Sequence, residues 1–256
     1  MKVDAVILAG GDGEVIDPTC RFKGLLPVAG KPMVEWVVDA FLGAETIGDI
    51  AVVMPTAEGL GPWVDKVEKL VVSDQQFMDN VVAGVAAFRT DRPVLVATGD
   101  IPLLTPEAID DFATRSMATG ADFVYPLVTR TELERQFPGS ERTYFRLKSG
   151  WHTGGNAMLV NPALVPAMRE LGQRLFDLRK SPVGTVKVAG LGFAVKFVLG
   201  RLQPEDLADK IQEVFGGTGA AVTTRHASLA VDVDKPSDLA LAERVLAKRA
   251  GAGAGA

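Results

Sequence analysis

The run Val3-Asp4-Ala5-Val6-Ile7-Leu8-Ala9-Gly10-Gly11-Asp12-Gly13 decides the architecture. Its first seven residues are short, apolar and rich in β-branched side chains, and they break off at a glycine pair. Such a run is expected to be a strand buried on both faces and closed by a tight loop, the kind found in parallel sheets. Glycines at the end of such a strand let backbone N–H groups approach an anion, although a plain tight turn needs them equally.

Working outward, KPMVEWVVDAFLGA puts Met33, Val34, Val37, Val38, Phe41 and Leu42 on one helical face, with Pro32 suited to a first turn. Ile50–Met54 is the next strand, Asp79–Phe88 has helical period, and Val94–Ala97 is a strand running into Thr98-Gly99-Asp100. Thr105-Pro106-Glu107 opens a helix to about Gly120, with a hydroxyl N-cap and an acid at the positive end of the dipole. Ala121–Val128 is a further strand, and its Pro126 places it at a sheet margin or bulge. TYFRL, a turn at Lys148-Ser149-Gly150, and NAMLV are strands outside the alternation, in an insertion over about 129–200. The strand Phe193–Leu199, a helix Pro204–Phe215, strands around AAVTT and LAVDV, and a helix from KPSDL complete the order. The expected fold is an α/β/α sandwich, one domain over 1–249, with a flexible tail over 250–256.

Composition narrows the function. The 256 residues are 47% hydrophobic and 23% charged, which fits a folded globular chain and excludes a disordered one. No apolar run reaches the roughly 20 residues of a membrane span, and the start is unlike a signal peptide, so a cytoplasmic protein is expected. A net charge of -5 argues against a nucleic-acid partner. One cysteine, Cys20, and two histidines, His152 and His226, are too few for a structural zinc site, so any metal would be held by oxygen.

In sheets of this type ligands sit beyond the carboxyl ends of the strands. A dinucleotide fingerprint fails there because Ile16 stands where the third glycine belongs, and a Walker motif fails because Pro32 follows Lys31. Lys23 follows the glycines in the same loop, flanked by Arg21 and Lys31, which taken singly read as solvated surface. Asp100 ends a buried strand, where a carboxylate needs a partner to stay ionised, or else serves as a turn acid. Asp232 and Asp234 end another apolar run two residues apart, so both side chains point one way, unless Asp234 caps the last helix. Acids facing a glycine cradle would repel a polyphosphate unless a divalent cation lies between them, and Mg²⁺ takes one or two carboxylates plus phosphates.

The ordered segments LAGGDG (Leu8–Gly13), FKGLLPVAGKPMVEWVVDAF (Phe22–Phe41), TGDIPLL (Thr98–Leu104) and VDVDKPSDLALAE (Val231–Glu243) resemble the MobA-like nucleotidyltransferases. The resemblance covers about the first 125 and the last 40 residues. It implies a Rossmann-like, mostly parallel mixed sheet and transfer of a nucleoside monophosphate from an NTP to a small-molecule acceptor, with release of pyrophosphate. Guanylyl and cytidylyl transfer, from GTP or CTP, are among the family's reactions. Carried over, the glycine loop falls on Gly10, Gly11 and Gly13, with Leu8 and Ala9 leading into the base pocket. The phosphate-binding lysine falls on Lys23, the metal aspartate on Asp100, and a second metal ligand on Asp234 or Asp232. Asn80 and Gly84 resemble a base-contacting helix start, and Asn156 stands where related enzymes approach the acceptor, although Gly154-Gly155 can also form a bulge. Lys196 is either a further phosphate contact or a side chain reaching past the sheet edge. Where the family often has an arginine after the glycine loop, this chain has Glu14-Val15, and Arg21 could replace it only if the loop folds back. His152 reads as structural or acceptor-side, and Cys20 as inert. Two rival readings are a glycosyltransferase, in which Asp232-Val233-Asp234 is a D-x-D motif, and a nucleotide sensor without turnover.

Overall fold

The structure is a computed structural model that describes residues 2–88, 90–169, 173, 196, 201 and 203–253. β1 (Val3–Leu8) is buried at all six positions, as the leading run requires. It lies between two parallel neighbours, β4 (Ile47–Met54) and β6 (Val94–Thr98), with Val6 opposite both Ala51 and Val96. The short β2 (Pro27–Val28) and β3 (Lys31–Pro32) pair with each other apart from the main sheet.

Alternation along β1 builds the layers. Ile7 packs on one face with Val34, Val37 and Phe41 of α1 (Met33–Leu42) and with Ile109 and Phe112 of α3 (Pro106–Thr119). Val6 and Leu8 pack on the other with Met78, Val81 and Val85 of α2 (Phe77–Ala86). Each such branched side chain contributes roughly 1.5–3 kcal/mol when fully buried, so both helical layers are tied to the sheet by the same strand. The α3 start is as expected: Thr105 Oγ1 accepts from the Ala108 N–H.

Beyond β6 the sheet becomes mixed. β10 (Ala157–Val160) runs antiparallel between β6 and β7 (Phe123–Thr129), and β11 (Gly219–Thr224) lies parallel along the other edge of β7. β9 (Gly150–Gly154) takes over from β10 along the second half of β7 and carries β8 (Phe145–Leu147). Pro126 sits at this changeover, where the Gly155 N–H donates to the Pro126 carbonyl at 3.0 Å. The proline therefore lies within an interior strand, in unbroken register opposite Val222 of β11, and not at a sheet margin.

Several expectations are corrected. The edge strand β5 (Lys69–Val72), beside β4, and α4 (Arg130–Gln136) were not legible, because their exposed positions blur the period. LAVDV is not a strand: Ala227–Ala230 form a 3-10 turn, and 231–234 run without regular secondary structure past the end of β6, joined by the Val233 N–H to the Asp100 carbonyl at 2.9 Å. The expected strand Phe193–Leu199 lies outside the described residues except for Lys196, which is helical. After α5 (Pro204–Phe215), the last helix α6 (Pro236–Gly253) continues through the first four residues expected to be flexible, consistent with alanine's helix propensity. Among the described residues no helix is long and apolar enough to cross a membrane.

Candidate active site

The chain after β1 doubles back on itself. The Gly13 N–H donates to the Arg21 carbonyl at 3.1 Å and the Lys23 N–H to the Gly11 carbonyl at 3.0 Å, with a bridge between Asp12 and Phe22. Two glycines make this possible. Gly11 has φ +98°, and a Cβ on Gly13 would stand 2.3 Å from the Cys20 carbonyl oxygen. The fold-back sets Lys23 opposite Gly11 at the carboxyl end of β1, with 9% of the residue exposed.

Opposite the lysine stand the acids. Asp100 follows β6, and its Oδ1 accepts from the Thr98 hydroxyl at 2.5 Å. The splice between Val233 and Asp100 brings the distant 232–234 segment alongside. Asp100, Asp232 and Asp234 each offer a carboxylate oxygen within 4.8 Å of the others. Lys23 Nζ lies 2.5 Å from Asp100 Oδ2 and 2.5 Å from Asp234 Oδ1. Burial pulls the ammonium's pKa down, but the charges and hydrogen bonds of the two aspartates outweigh it and hold the group above its ordinary value. Asp232 is pushed up to about 6, by burial first and then by the Asp100 charge, while Arg142 works in the opposite direction. Three carboxylates with no nitrogen or sulfur ligand form an all-oxygen donor set that could hold a hard divalent cation.

These groups face a cleft of about 400 Å³ lined by Leu8, Gly10, Gly11, Lys23, Gln75, Phe77, Asn80, Thr98, Asp100, Asn156, Asp232 and Asp234. The candidate residues from the first and last segments of the chain thus meet at one place. Leu8 and Asn156 also line an adjoining apolar chamber with Phe77, Val96, Tyr125, Gly155 and Met158. Asn156 is fixed there by its backbone: its N–H donates to Leu229 at 2.7 Å and its carbonyl accepts from Thr98 at 3.0 Å. Asn80 Oδ1 accepts from Ser73 Oγ at 2.7 Å, and its amide donates to the Gln75 carbonyl at 3.1 Å.

Other candidates fall elsewhere. Gly84 is a packing residue, because a Cβ there would stand 2.4 Å from Val6 Cγ1. Ala9 is buried beneath the loop and does not line the cleft. Arg21 is exposed, with its guanidinium carbon 4.9 Å from the Phe22 ring centroid; the loop folds back, yet this side chain does not enter the cleft. Lys196 is helical and donates to Asp206 Oδ1 at 2.5 Å, so it is not a sheet-edge lysine. Lys31 pairs with Asp39 and lies 3.7 Å from the Trp36 ring centroid, outside the cleft. His152 is buried, its Nδ1 3.0 Å from the Gly150 carbonyl oxygen, and is a structural residue of β9. Cys20 has its pKa raised by burial and by Asp17, which keeps it a thiol.

Sequence reading missed Gln75, Phe77 and Thr98 in the lining, and Arg142 and Asp238 behind the acids. Thr98 alone had a signal, its place directly before Gly99-Asp100 at the end of a buried strand.

Comparison with known proteins bears on this geometry. The MobA-like NTP transferase domain matches residues 5–181. The bifunctional protein GlmU of Alcanivorax borkumensis is 34% identical over 138 residues, which are 51% of this chain and 28% of that protein. The 2-C-methyl-D-erythritol 4-phosphate cytidylyltransferase of Clostridium botulinum is 27% identical over 131 residues, 46% of this chain and 56% of that one. The chain therefore spans about a quarter to a half of the length of these relatives. A hypothetical transferase structure from Thermus thermophilus superposes with a TM-score of 0.81 at 33% identity, over 93% of this chain and 100% of that one.

Proposed function

The chain belongs to the MobA-like NTP transferase family, and from that premise we propose that it is a magnesium-dependent nucleotidyltransferase. It would move a nucleoside monophosphate from an NTP to a small-molecule acceptor bearing a phosphate or hydroxyl, releasing pyrophosphate. One observation carries the reading: Lys23, buried and charged, stands between Asp100 and Asp234 in a cleft floored by Gly10 and Gly11.

In the reaction an acceptor oxygen forms a bond to the α-phosphorus while the bond from that phosphorus to the α,β-bridging oxygen breaks. The electron pair leaves with pyrophosphate, and no covalent enzyme intermediate is needed. Asp100 and Asp234, with Asp232 behind them, would hold the magnesium, which supplies positive charge against the phosphates when bound. Gly10 and Gly11 line the space for the β- and γ-phosphates, Gly13 lets the loop that carries them fold back, and Lys23 neutralises charge developing on the leaving pyrophosphate. Leu8 and Asn80 border the space for the base. Asn156 and Gly155 border the space for the acceptor. A phosphate acceptor arrives ionised and needs no general base, which fits a cleft without a histidine among its lining residues.

A melting scan against ATP, GTP, CTP and UTP, with and without Mg²⁺, tests the reading. A ligand at 100 times its dissociation constant adds about 2.7 kcal/mol of stability. Magnesium-dependent protection by an NTP, followed by pyrophosphate release with a panel of sugar and polyol phosphates, supports it. Protection by a nucleotide sugar alone would move the assignment to a glycosyltransferase. Protection by NTP with no turnover on any acceptor would favour a sensor.

A further inference from the structure

We infer that Arg142 is a positioning residue for the cation site: through Asp238 and two backbone carbonyls, it fixes where Asp232 and Asp234 stand. The inference rests on the metal-site reading above and extends it to residues that touch neither nucleotide nor cation.

The 232–234 segment needs such a device. It belongs to no strand, and fixing the backbone of each of its residues costs roughly 1–2 kcal/mol. Arg142 lies in the loop before β8, far from these acids in sequence, with its side chain only 10% exposed. Its Nε donates to the Ala230 carbonyl at 2.9 Å, and one terminal nitrogen donates to the Asp232 carbonyl. The other terminal nitrogen donates to the Glu141 carbonyl at 2.9 Å and to Asp238 Oδ1 at 3.3 Å. Asp238 is itself buried, and its second oxygen accepts the Asp234 N–H at 3.1 Å. The two side chains therefore grip the backbone at 230, 232 and 234. A planar guanidinium with five donors can serve these acceptors together, whereas an ammonium cannot match their directions.

Charge and position make opposite demands, and this makes the role testable. Arg142 Nε is 3.4 Å from Asp232 Oδ1. If the guanidinium acted only by its charge, it would repel a cation, and well above the pH range where Asp232 takes up a proton, removing it would tighten cation binding. If it acts by placing the carboxylates, removing it weakens binding.

The experiment is a Mn²⁺ titration of the full chain at about pH 8, where Asp232 is ionised, followed by electron paramagnetic resonance, with the melting temperature of each protein recorded without metal. Arg142→Met is expected to weaken Mn²⁺ binding at least about tenfold, the usual cost of losing a group that orients a metal ligand. Arg142→Lys keeps the charge and is expected to fall between wild type and Arg142→Met. It also carries the test if Arg142→Met does not fold. Affinity equal to or tighter than wild type in a folded Arg142→Met, or wild-type affinity in Arg142→Lys if that is the variant that folds, would overturn the positioning role. A lower melting temperature with unchanged Mn²⁺ affinity overturns it too, leaving Arg142 as a packing residue. If wild type binds no Mn²⁺ at all, the metal site itself fails, an outcome distinct from the others.

Discussion

Lys23 Nζ stands 2.5 Å from Asp234 Oδ1, across 211 positions of sequence, and the same ammonium reaches Asp100 at 2.5 Å. A cation between these two carboxylates must compete with the lysine already bridging them. A released lysine is then free to meet a phosphate, so cation and nucleotide should bind with positive coupling.

This competition gives Lys23→Met two effects of opposite sign. Mn²⁺ alone is expected to bind more tightly, because the resident counter-charge is gone. Turnover is expected to fall by about 10²–10³, the usual loss when one preorganised charge donor is removed. Metal titration and pyrophosphate release measure the two. Turnover within tenfold of wild type would remove Lys23 from the chemistry.

Asp100→Asn is expected to abolish magnesium-dependent NTP protection while leaving a folded protein, since the amide keeps the shape and can still meet the Thr98 hydroxyl. Circular dichroism checks the fold and thermal shift checks the protection. Equal NTP-induced shifts in mutant and wild type would contradict a metal-binding role for Asp100.

Asp232 sets a pH dependence. Its pKa is raised from 3.8 to about 6, so the native state holds a proton that the unfolded state has lost between those values. The stability this lends is full below the unfolded pKa and is gone once pH has risen through about 6. Asp232→Asn should therefore gain on wild type as pH rises from acid to neutral, by on the order of 2 kcal/mol, in thermal unfolding curves. A cation needs the deprotonated carboxylate, so Mn²⁺ affinity of wild type should drop below about pH 6. A flat affinity across that range would exclude Asp232 from the site.

The glycines divide by role. A Cβ at Gly13 meets the Cys20 carbonyl, a backbone atom of the phosphate-side loop, so Gly13→Ala should weaken NTP binding strongly. A Cβ at Gly84 meets Val6 and Val53 between α2 and the sheet, so Gly84→Ala should cost about 1–3 kcal/mol of stability and leave NTP affinity of the folded protein unchanged. Melting curves and NTP titrations of the two variants distinguish these outcomes. Equal loss of NTP affinity in both would contradict the division.

What the sequence revealed followed from local patterns. The buried run Val3–Leu8, the helix face from Met33 to Phe41 and the Thr105 cap are written in a few neighbouring residues, and the structure has them as read, except that Leu42, expected on the same helical face, is exposed. Gly11, Lys23 and Asp100 were found because each follows such an element, and Asp234 because it comes directly after the apolar run LAVDV, although that run is not a strand. Arg142 and Asp238 were not, because their importance lies in backbone carbonyls and an N–H that no sequence pattern displays. Arg21 and Gly84 were misplaced for the opposite reason. Their spacing fits a ligand contact, yet one side chain stacks outward on Phe22 and the other position is filled by the sheet. Lys196 sits in an apolar run that reads equally as strand or helix, an ambiguity that length alone does not resolve.

Diffraction from crystals grown with Mn²⁺ and a non-hydrolysable NTP analogue, recorded at the manganese absorption edge, tests the central assignment directly. The expected result is an anomalous peak touching the carboxylate oxygens of Asp100 and Asp234, with the triphosphate along Gly10 and Gly11 and Lys23 turned onto a phosphate oxygen. A triphosphate bound away from this cleft, or manganese seated where none of the three aspartates reaches it, would contradict it.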